Sequence, residues 1–319
     1  MKTETRPKMN SIVIEGLVKT YGNIHALDGL NLNVEAGSVF GFMGPNGAGK
    51  TTTMRILTGL AKPSSGQAWV AGVNLAEDGR DLSRHIGYLP EEPAFYPWMT
   101  PREFLDYLGR LYGLQAKIRS VRGRELLEMV KLGDSGKRRI GGFSRGMRQR
   151  LGIAAALVNQ PDVLLLDEPA SALDPAGRKE VLDLIDSLRG KCTVLMSTHI
   201  LADVERVCDV VGIVAHGKLI VQSSRQALLD KYALPVFEIE ASETDSLQGW
   251  VDSVRHQPWF ASADVAGNKA RLVVNDVNQA KRDLLPGAVR FGLVIDRYEE
   301  LKPSLEDIFL RLVGGEELK

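Results

Sequence analysis

Two short stretches place a lysine, hydroxyls and carboxylates at spacings that suit phosphate chemistry. GPNGAGKTT, residues 44–52, fits GxxxxGK[ST] and lies between an apolar strand pattern and a helical pattern, the context this motif needs. Its glycines let backbone N–H groups wrap phosphates, and the helix N-terminus that follows adds a positive end. Lys50 is placed to bridge β- and γ-phosphates, and Thr51 to hold Mg²⁺. VLLLDEP, 163–169, is an apolar strand ending in two carboxylates. Asp167 suits the Mg²⁺ shell, and Glu168 suits orienting and deprotonating an attacking water. An acidic strand end standing alone is more often a helix cap or solvated turn; the phosphate loop upstream reverses that preference.

Other segments follow at compatible distances. SALD, 171–174, comes directly after the acidic pair, and STH, 197–199, ends the next strand. His199 then sits at the carboxyl edge of a parallel sheet, where ligands bind. FSRGMRQRLGIAAALVNQP, 143–161, reads as a helix with Ser144 at its N-cap and Gly146 in its first turn. Capping accounts for Ser144 but not for Gly146, which costs ~0.5–1 kcal/mol against alanine inside a helix. A bare helix start with glycine suits close approach to a phosphate. GYLPEEPAFYPWMT, 87–100, sets Glu91 and Glu92 against Phe95, Tyr96 and Trp98, and three prolines deny it a regular helix.

These residues need a sheet to hold them. SIVIEGLVKTYG (11–22) alternates like a half-exposed strand, and NLNVEAGSVFGFMG holds a second strand and then an apolar one. TTTMRILTGL (51–60) reads as a helix and GQAWVAGVNL (66–75) as one strand. From about 100 to 160 the pattern is helical, opened by Thr100 as N-cap, Pro101 at N1 and Glu103 closing a capping box. DVLLLD and CTVLMS are strands flanking the helical GRKEVLDLIDSLRG, and strand, crossover helix, strand implies a parallel α/β sheet. Past residue 230 the expectation is a small α+β domain. PVFEIEA, RLVVN and RFGLVIDR read as strands, SLQGWVDSV and VNQAKRDLL as helices, and SLEDIFLRLVG as a closing amphipathic helix.

Bulk properties narrow the function. A chain of 319 residues suggests about two domains. Forty basic residues balance forty acidic ones, so no global field recruits nucleic acid or anionic lipid. Cys192 and Cys208 have neither metal-ligand nor redox spacing. No run reaches the roughly 18 apolar residues of a membrane span. The polar start, MKTETRPKMN, is expected to be a flexible tail without a secretory signal, which predicts a cytoplasmic protein.

Taken together, residues 11–225 resemble the ATP-binding subunit of an ABC transporter, and the order of the motifs is more specific than any one of them. The resemblance implies a P-loop NTPase core with a mostly parallel sheet, an antiparallel β subdomain and an inserted helical subdomain near 92–160. It places the ATPase domain at 11–230, after a tail at 1–10, and an accessory α+β domain at 231–319. It implies nucleotide contacts from Tyr21, which would stack on adenine, and from Gly44, Pro45, Asn46, Gly47, Ala48, Gly49, Lys50, Thr51 and Thr52. Ser144, Arg145 and Gly146 stand in the signature loop, LSGGQ in the family and FSRGM here. Asp174 matches the SALD aspartate, Glu168 and His199 the catalytic base and switch, and Thr51, Asp167 and Glu91 the metal side. Two departures stand out: Glu91 replaces the family's glutamine, and Arg145 replaces a signature glycine.

In that family two ATPase domains join head to tail, each ATP lying between one phosphate loop and the other's signature loop. One set of motifs here therefore implies a second copy or a homologue, together with an integral-membrane permease at the inner face of the membrane. ATP and Mg²⁺ are the implied cofactors, no nucleic acid is expected, and the closing segment resembles drug- and antibiotic-exporting subunits. The competing readings are a soluble ABC ATPase acting on nucleic acid or ribosomes, and a slow, regulatory nucleotide-binding subunit. A GTPase would carry an Asn-Lys-x-Asp segment, which is absent.

Overall fold

The computed structural model describes residues 10–76, 79–171, 173–232, 235–242 and 244–301, and beyond these Leu305, Ile308, Phe309 and Leu312. The chain separates into two compact units, Met1–Arg225 and Gln226–Lys319.

The first unit opens with long antiparallel strands β1 (Asn10–Tyr21) and β2 (Ile24–Glu35), then the fully buried β3 (Val39–Met43) and helix α1 (Lys50–Leu57). β4 (Ser65–Val70) and β5 (Val73–Asn74) follow, then α2 (Gly79–His85) and β6 (Ile86–Leu89). Three helices come next: α3 (Pro101–Leu111), α4 (Ala116–Met129) and α5 (Arg145–Ala156). The unit ends with β7 (Val163–Asp167), α6 (Pro175–Asp186), β8 (Thr193–Thr198), α7 (Leu201–Val207), β9 (Val210–Ala215) and β10 (Lys218–Ser224). Its main sheet has the order β10-β9-β3-β8-β7-β6; all neighbours are parallel except β10 and β9. Parallel strands covered on both faces read as continuous apolar runs, as VFGFM and VLLL do. A second sheet, β2-β1-β4-β5, is antiparallel. Ile12, Ile14, Leu17, Leu30 and Leu32 from it share one core with Phe40, Phe42, Met54 and Leu165.

The second unit begins with α8 (Arg225–Tyr232), whose first residue belongs to the first unit, and continues as β11 (Val236–Ala241), α9 (Thr244–Val254), β12 (Phe260–Ala266), β13 (Lys269–Val274), α10 (Val277–Phe291) and β14 (Ile295–Leu301). The order β12-β13-β11-β14, all antiparallel, with a helix after the first and third strands, is the split βαβ arrangement of ferredoxin-like domains. Phe237, Ile239, Trp250, Trp259, Leu272 and Leu284 form its core.

Four sequence expectations are corrected. Asn10 begins β1 rather than ending a tail, and residues 1–9 lie outside the described residues. GQAWVAGVNL is two strands, because Ala71 and Gly72 both take positive φ (50° and 81°) and close a two-residue hairpin pairing Val70 with Val73. The helix at VNQAKRDLL runs through Pro286 to Phe291 and stops at Gly292 (φ 92°), so RFGLVIDR is helix end, cap and strand start. Proline inside a helix costs ~3 kcal/mol or more. Buried Ala280, Leu284 and Ala288, four residues apart, hold the helix to the core across it. FASADVA, not expected as a strand, is β12; its small residues give little alternation. The closing helix expected at SLEDIFLRLVG falls largely outside the described residues.

Both cysteines are buried free thiols; burial pushes Cys192 up to about 11 and Cys208 upward as well. No helix among the described residues is long and apolar enough to cross a membrane.

The expected cap of α3 is present. Glu103 N–H donates to Thr100 Oγ1 at 3.3 Å, and Thr100 N–H donates to Glu103 Oε2 at 2.8 Å. Thr100→Ala is expected to cost ~0.5–2 kcal/mol. The measurement is the urea midpoint, which should fall at unchanged slope.

Candidate functional site

The phosphate loop leaves β3 at the carboxyl edge of the parallel sheet and enters α1 at Gly49. Packing dictates two of its glycines. A Cβ on Gly44 would lie 2.3 Å from the Val214 carbonyl, and one on Gly49 (φ 103°) would lie 2.6 Å from the Ala26 carbonyl. No side chain caps the start of α1 and its first turn carries no acid, which leaves its N–H groups and positive end for an anion. Lys50 is only 6% exposed, and its ammonium donates to the Gly44 and Pro45 carbonyls at 2.7 and 3.2 Å.

The acidic pair ends β7, one strand away from β3. In register, Asp167 pairs with Ser197 of β8, and Met43 pairs with Thr198, so three parallel strand ends converge. Ser197 Oγ donates to Asp167 Oδ1 at 2.6 Å and accepts from the Glu168 N–H at 3.0 Å. Thr51 Oγ1 lies 3.4 Å from Asp167 Oδ1, which joins the loop helix to the acidic strand end. Glu168 takes a left-handed backbone (φ 48°), turning its side chain away from the strand direction. Its Oε1 lies 3.6 Å from Lys50 Nζ, and its Oε2 lies 2.9 Å from His199 Nδ1. Asp167 and Glu168 are both buried, whereas His199 is half-exposed. Burial, with help from the Asp167 carboxylate, pushes neighbouring Tyr88 up to about 12.

Behind His199, Arg178 of α6 donates to the buried Asp203 of α7 at 2.6 Å. Burial raises the Asp203 carboxyl, against the pull of Arg178. The pair ties the helix after Asp174 to the helix after His199.

A cavity of about 410 Å³ is lined by Asn46, Gly47, Gly49, Lys50, Thr51, Thr52, Glu91, Glu168 and His199, all expected from the sequence. Ile24, His25 and Ala26 line it too and were not expected. Tyr21 is not among the lining residues; it pairs with Ile24 at the tip of the β1–β2 hairpin, with Lys19 Nζ 4.8 Å from its ring centre. Ser144, Arg145, Gly146 and Asp174 are also absent from this cavity within one chain. Ser144 caps α5 through the Met147 N–H at 3.2 Å, and Asp174 stands exposed at the start of α6. Ser197, which sequence reading did not assign a role, fixes the Asp167 carboxylate and the Glu168 backbone; its signal was the STH ending of an apolar strand beside another that ends in DE.

The residues fit Mg²⁺ coordination. No group of three or more His, Cys, Asp or Glu side chains forms a metal cage among the described residues. Mg²⁺ does not ask for one: it keeps several waters and takes one or two carboxylates plus phosphate oxygens. Asp167 with the Thr51 hydroxyl supplies that minimal set.

The family model for ABC transporters matches residues 27–171, and that for the C-terminal domain of DrrA1-3-like ATP-binding proteins matches residues 224–313. The bacitracin transport ATP-binding protein BcrA of Bacillus licheniformis is 45% identical over 304 residues, covering 94% of this chain and 96% of that protein. The uncharacterized ABC transporter ATP-binding protein YxlF of Bacillus subtilis (strain 168) is 42% identical over 302 residues, 94% of this chain and 98% of its own. The daunorubicin resistance ATP-binding protein DrrA3 of Streptomyces coeruleorubidus is 33% identical over 311 residues, 96% of each. Among solved structures, an ATP-binding subunit of an ABC transporter superposes with a TM-score of 0.63 at 29% identity, over 69% of this chain and 92% of that one. A dimeric ATP-binding cassette bound to ADP and Pi, in a post-hydrolysis state, gives 0.61 at 28% identity, over 67% of this chain and 98% of that one. Sequence relatives, fold and site geometry agree: the chain belongs to the ABC transporter family, as an ATP-binding subunit that hydrolyses ATP.

Proposed function

We propose that this chain powers an exporter, working as a head-to-tail dimer on a separate membrane permease at the cytoplasmic face. The observation that carries the reading is the convergence of Lys50, Thr51, Glu168 and His199 on one cavity at the sheet's carboxyl edge, with the Asp167 carboxylate within reach of the Thr51 hydroxyl. The bacitracin transport and daunorubicin resistance functions in the names of its relatives support an exporter role. In this reading residues 11–230 are the ATPase domain, with a helical subdomain at about 92–160, and 231–319 an accessory domain.

The geometry supports the following roles. The loop N–H groups and Lys50 hold the triphosphate, and Thr51 and Asp167 hold Mg²⁺, with Glu91 on the same side. Mg²⁺, when bound, draws charge from the phosphate oxygens. Water attacks the γ-phosphorus, the bond to the ADP oxygen breaks, and the water's proton passes to Glu168. His199 holds the Glu168 carboxylate through Oε2, leaving Oε1 on the Lys50 side. A base fixed at both oxygens is aimed before the water arrives.

The second copy is supported by Gly146. A Cβ there would meet nothing of its own chain closer than Leu173 at 4.0 Å, so packing within the subunit does not ask for glycine. Approach of a partner's nucleotide to the start of α5 does, with Ser144 and the exposed Asp174 completing the site. Tyr21 stacks on the adenine in this reading.

The permease is supported by a second cavity of about 340 Å³, apolar, lined by residues including Leu60, Pro93, Phe95, Phe104, Leu108 and Tyr112. It suits the apolar face of a short helix. Of Phe95, Tyr96 and Trp98 only Phe95 lines it, together with Tyr88 from the same stretch. Tyr96 packs on Trp98, Phe104 and Tyr107, and Trp98 remains 62% exposed.

Two outcomes test the reading. Glu168→Gln is expected to keep ATP affinity within about threefold while turnover falls by about a thousandfold or more. Fluorescent-nucleotide binding and phosphate release measure the two, and unchanged turnover removes Glu168 as the base. Leu60→Glu and Trp98→Ala, both at exposed positions, should leave basal ATPase within about twofold while cutting permease association about tenfold or more. Co-purification from detergent-solubilised membranes measures this.

A further inference from the structure

Two departures from the family pattern meet in one place. A cavity of about 260 Å³ is lined by Glu91, Glu92, Pro93, Arg145, Arg148 and Gln149. Glu91 also lines the nucleotide cavity with Lys50, Glu168 and His199, so this one residue borders both. Arg148 is committed, its Nη1 donating to the Phe143 carbonyl at 2.7 Å. Among the described residues, the side chains of Glu91, Glu92 and Arg145 make no hydrogen bond or ion pair within the chain. Gln149 is only 4% exposed, and its amide has no partner among those residues either.

The charges complement each other on two counts. Arg145 and Arg148 occupy the first turn of α5, which carries no acid, so both cations oppose the positive end of that helix. The carboxylates of Glu91 and Glu92 are the anions that face them across the cavity. On the other side, a carboxylate in place of glutamine adds a negative charge beside a site built for a triphosphate and already holding Asp167 and Glu168. A guanidinium lining the same small cavity is placed to offset that charge, although both groups are exposed to solvent.

We propose that Arg145 is a positioning residue for Glu91: it balances, within one subunit, the carboxylate that stands in the family's glutamine position, and keeps that carboxylate compatible with a bound triphosphate. The two departures are then a matched pair. This rests on the nucleotide reading above, in which Glu91 borders the phosphates.

The test is a double-mutant cycle on the purified full-length chain with ATP and Mg²⁺, reading kcat and KM. Arg145→Gln keeps size and helix preference but removes the charge, and is expected to lower kcat about tenfold with KM changed by no more than about threefold. Arg145→Lys keeps the charge and should stay within about threefold of the parent, which a loss of packing would not allow. Glu91→Gln with Arg145→Gln should recover to within about threefold of the parent, a non-additive outcome that marks direct coupling. Additive losses in the double variant, or Arg145→Lys as impaired as Arg145→Gln, overturn the pairing. Absence of hydrolysis in the parent, with Glu168→Gln no different from it, would instead be a failure of the nucleotide reading.

Discussion

Ser197 ties the two acidic residues together: its hydroxyl donates a hydrogen bond to the Asp167 carboxylate and accepts one from the Glu168 backbone N–H. Asp167 is 1% exposed, so without a donor its oxygens would carry a large desolvation cost. The left-handed backbone at Glu168 costs a residue with a Cβ ~1–2 kcal/mol. The Glu168 N–H bonds to both Ser197 oxygens and the Ser171 N–H and hydroxyl bond to the Glu168 carbonyl, which over-determines that turn. One strand-end serine therefore sets where the metal-side acid sits and which way the base points.

That arrangement exists because three parallel strands end together. β3 delivers the phosphate loop, β7 the acids and β8 the serine and histidine, in the order β3-β8-β7. Parallel pairing with buried faces fixes the register, since a slip of one residue would turn the apolar side chains and the site residues to opposite faces. Lys50, Glu168 and His199 form a chain of charge and hydrogen bonds across the cavity. A buried ion pair of this kind is weak support for stability and better understood as preorganisation for chemistry.

Much of this was legible in the residues themselves. The phosphate loop, the DE strand end and the STH segment are local patterns whose chemistry depends on a few adjacent positions, and an apolar strand before each fixes its placement. Ile24 and His25 carry no such signature; they reach the cavity only because the β1–β2 hairpin folds over from another sheet, a long-range fact. Ala71 at positive φ gave no turn warning, since alanine rarely takes that conformation. Pro286 read as a helix end because local preference disfavours it, and buried residues on both sides of it decided otherwise. Tertiary packing overruled local preference in both places.

The proposed cycle turns on a site that one chain does not complete: Lys50 and Glu168 line the cavity, while Ser144 and Gly146 do not. The most direct measurement mixes two inactive full-length variants, Lys50→Ala and Gly146→Asp, and follows ATP hydrolysis. In a head-to-tail pair of unlike chains, one site carries both lesions and the other carries none. The account predicts that each variant alone is inactive and that mixing restores hydrolysis. Mixtures as inactive as their components, under conditions where the two chains demonstrably associate, would contradict it.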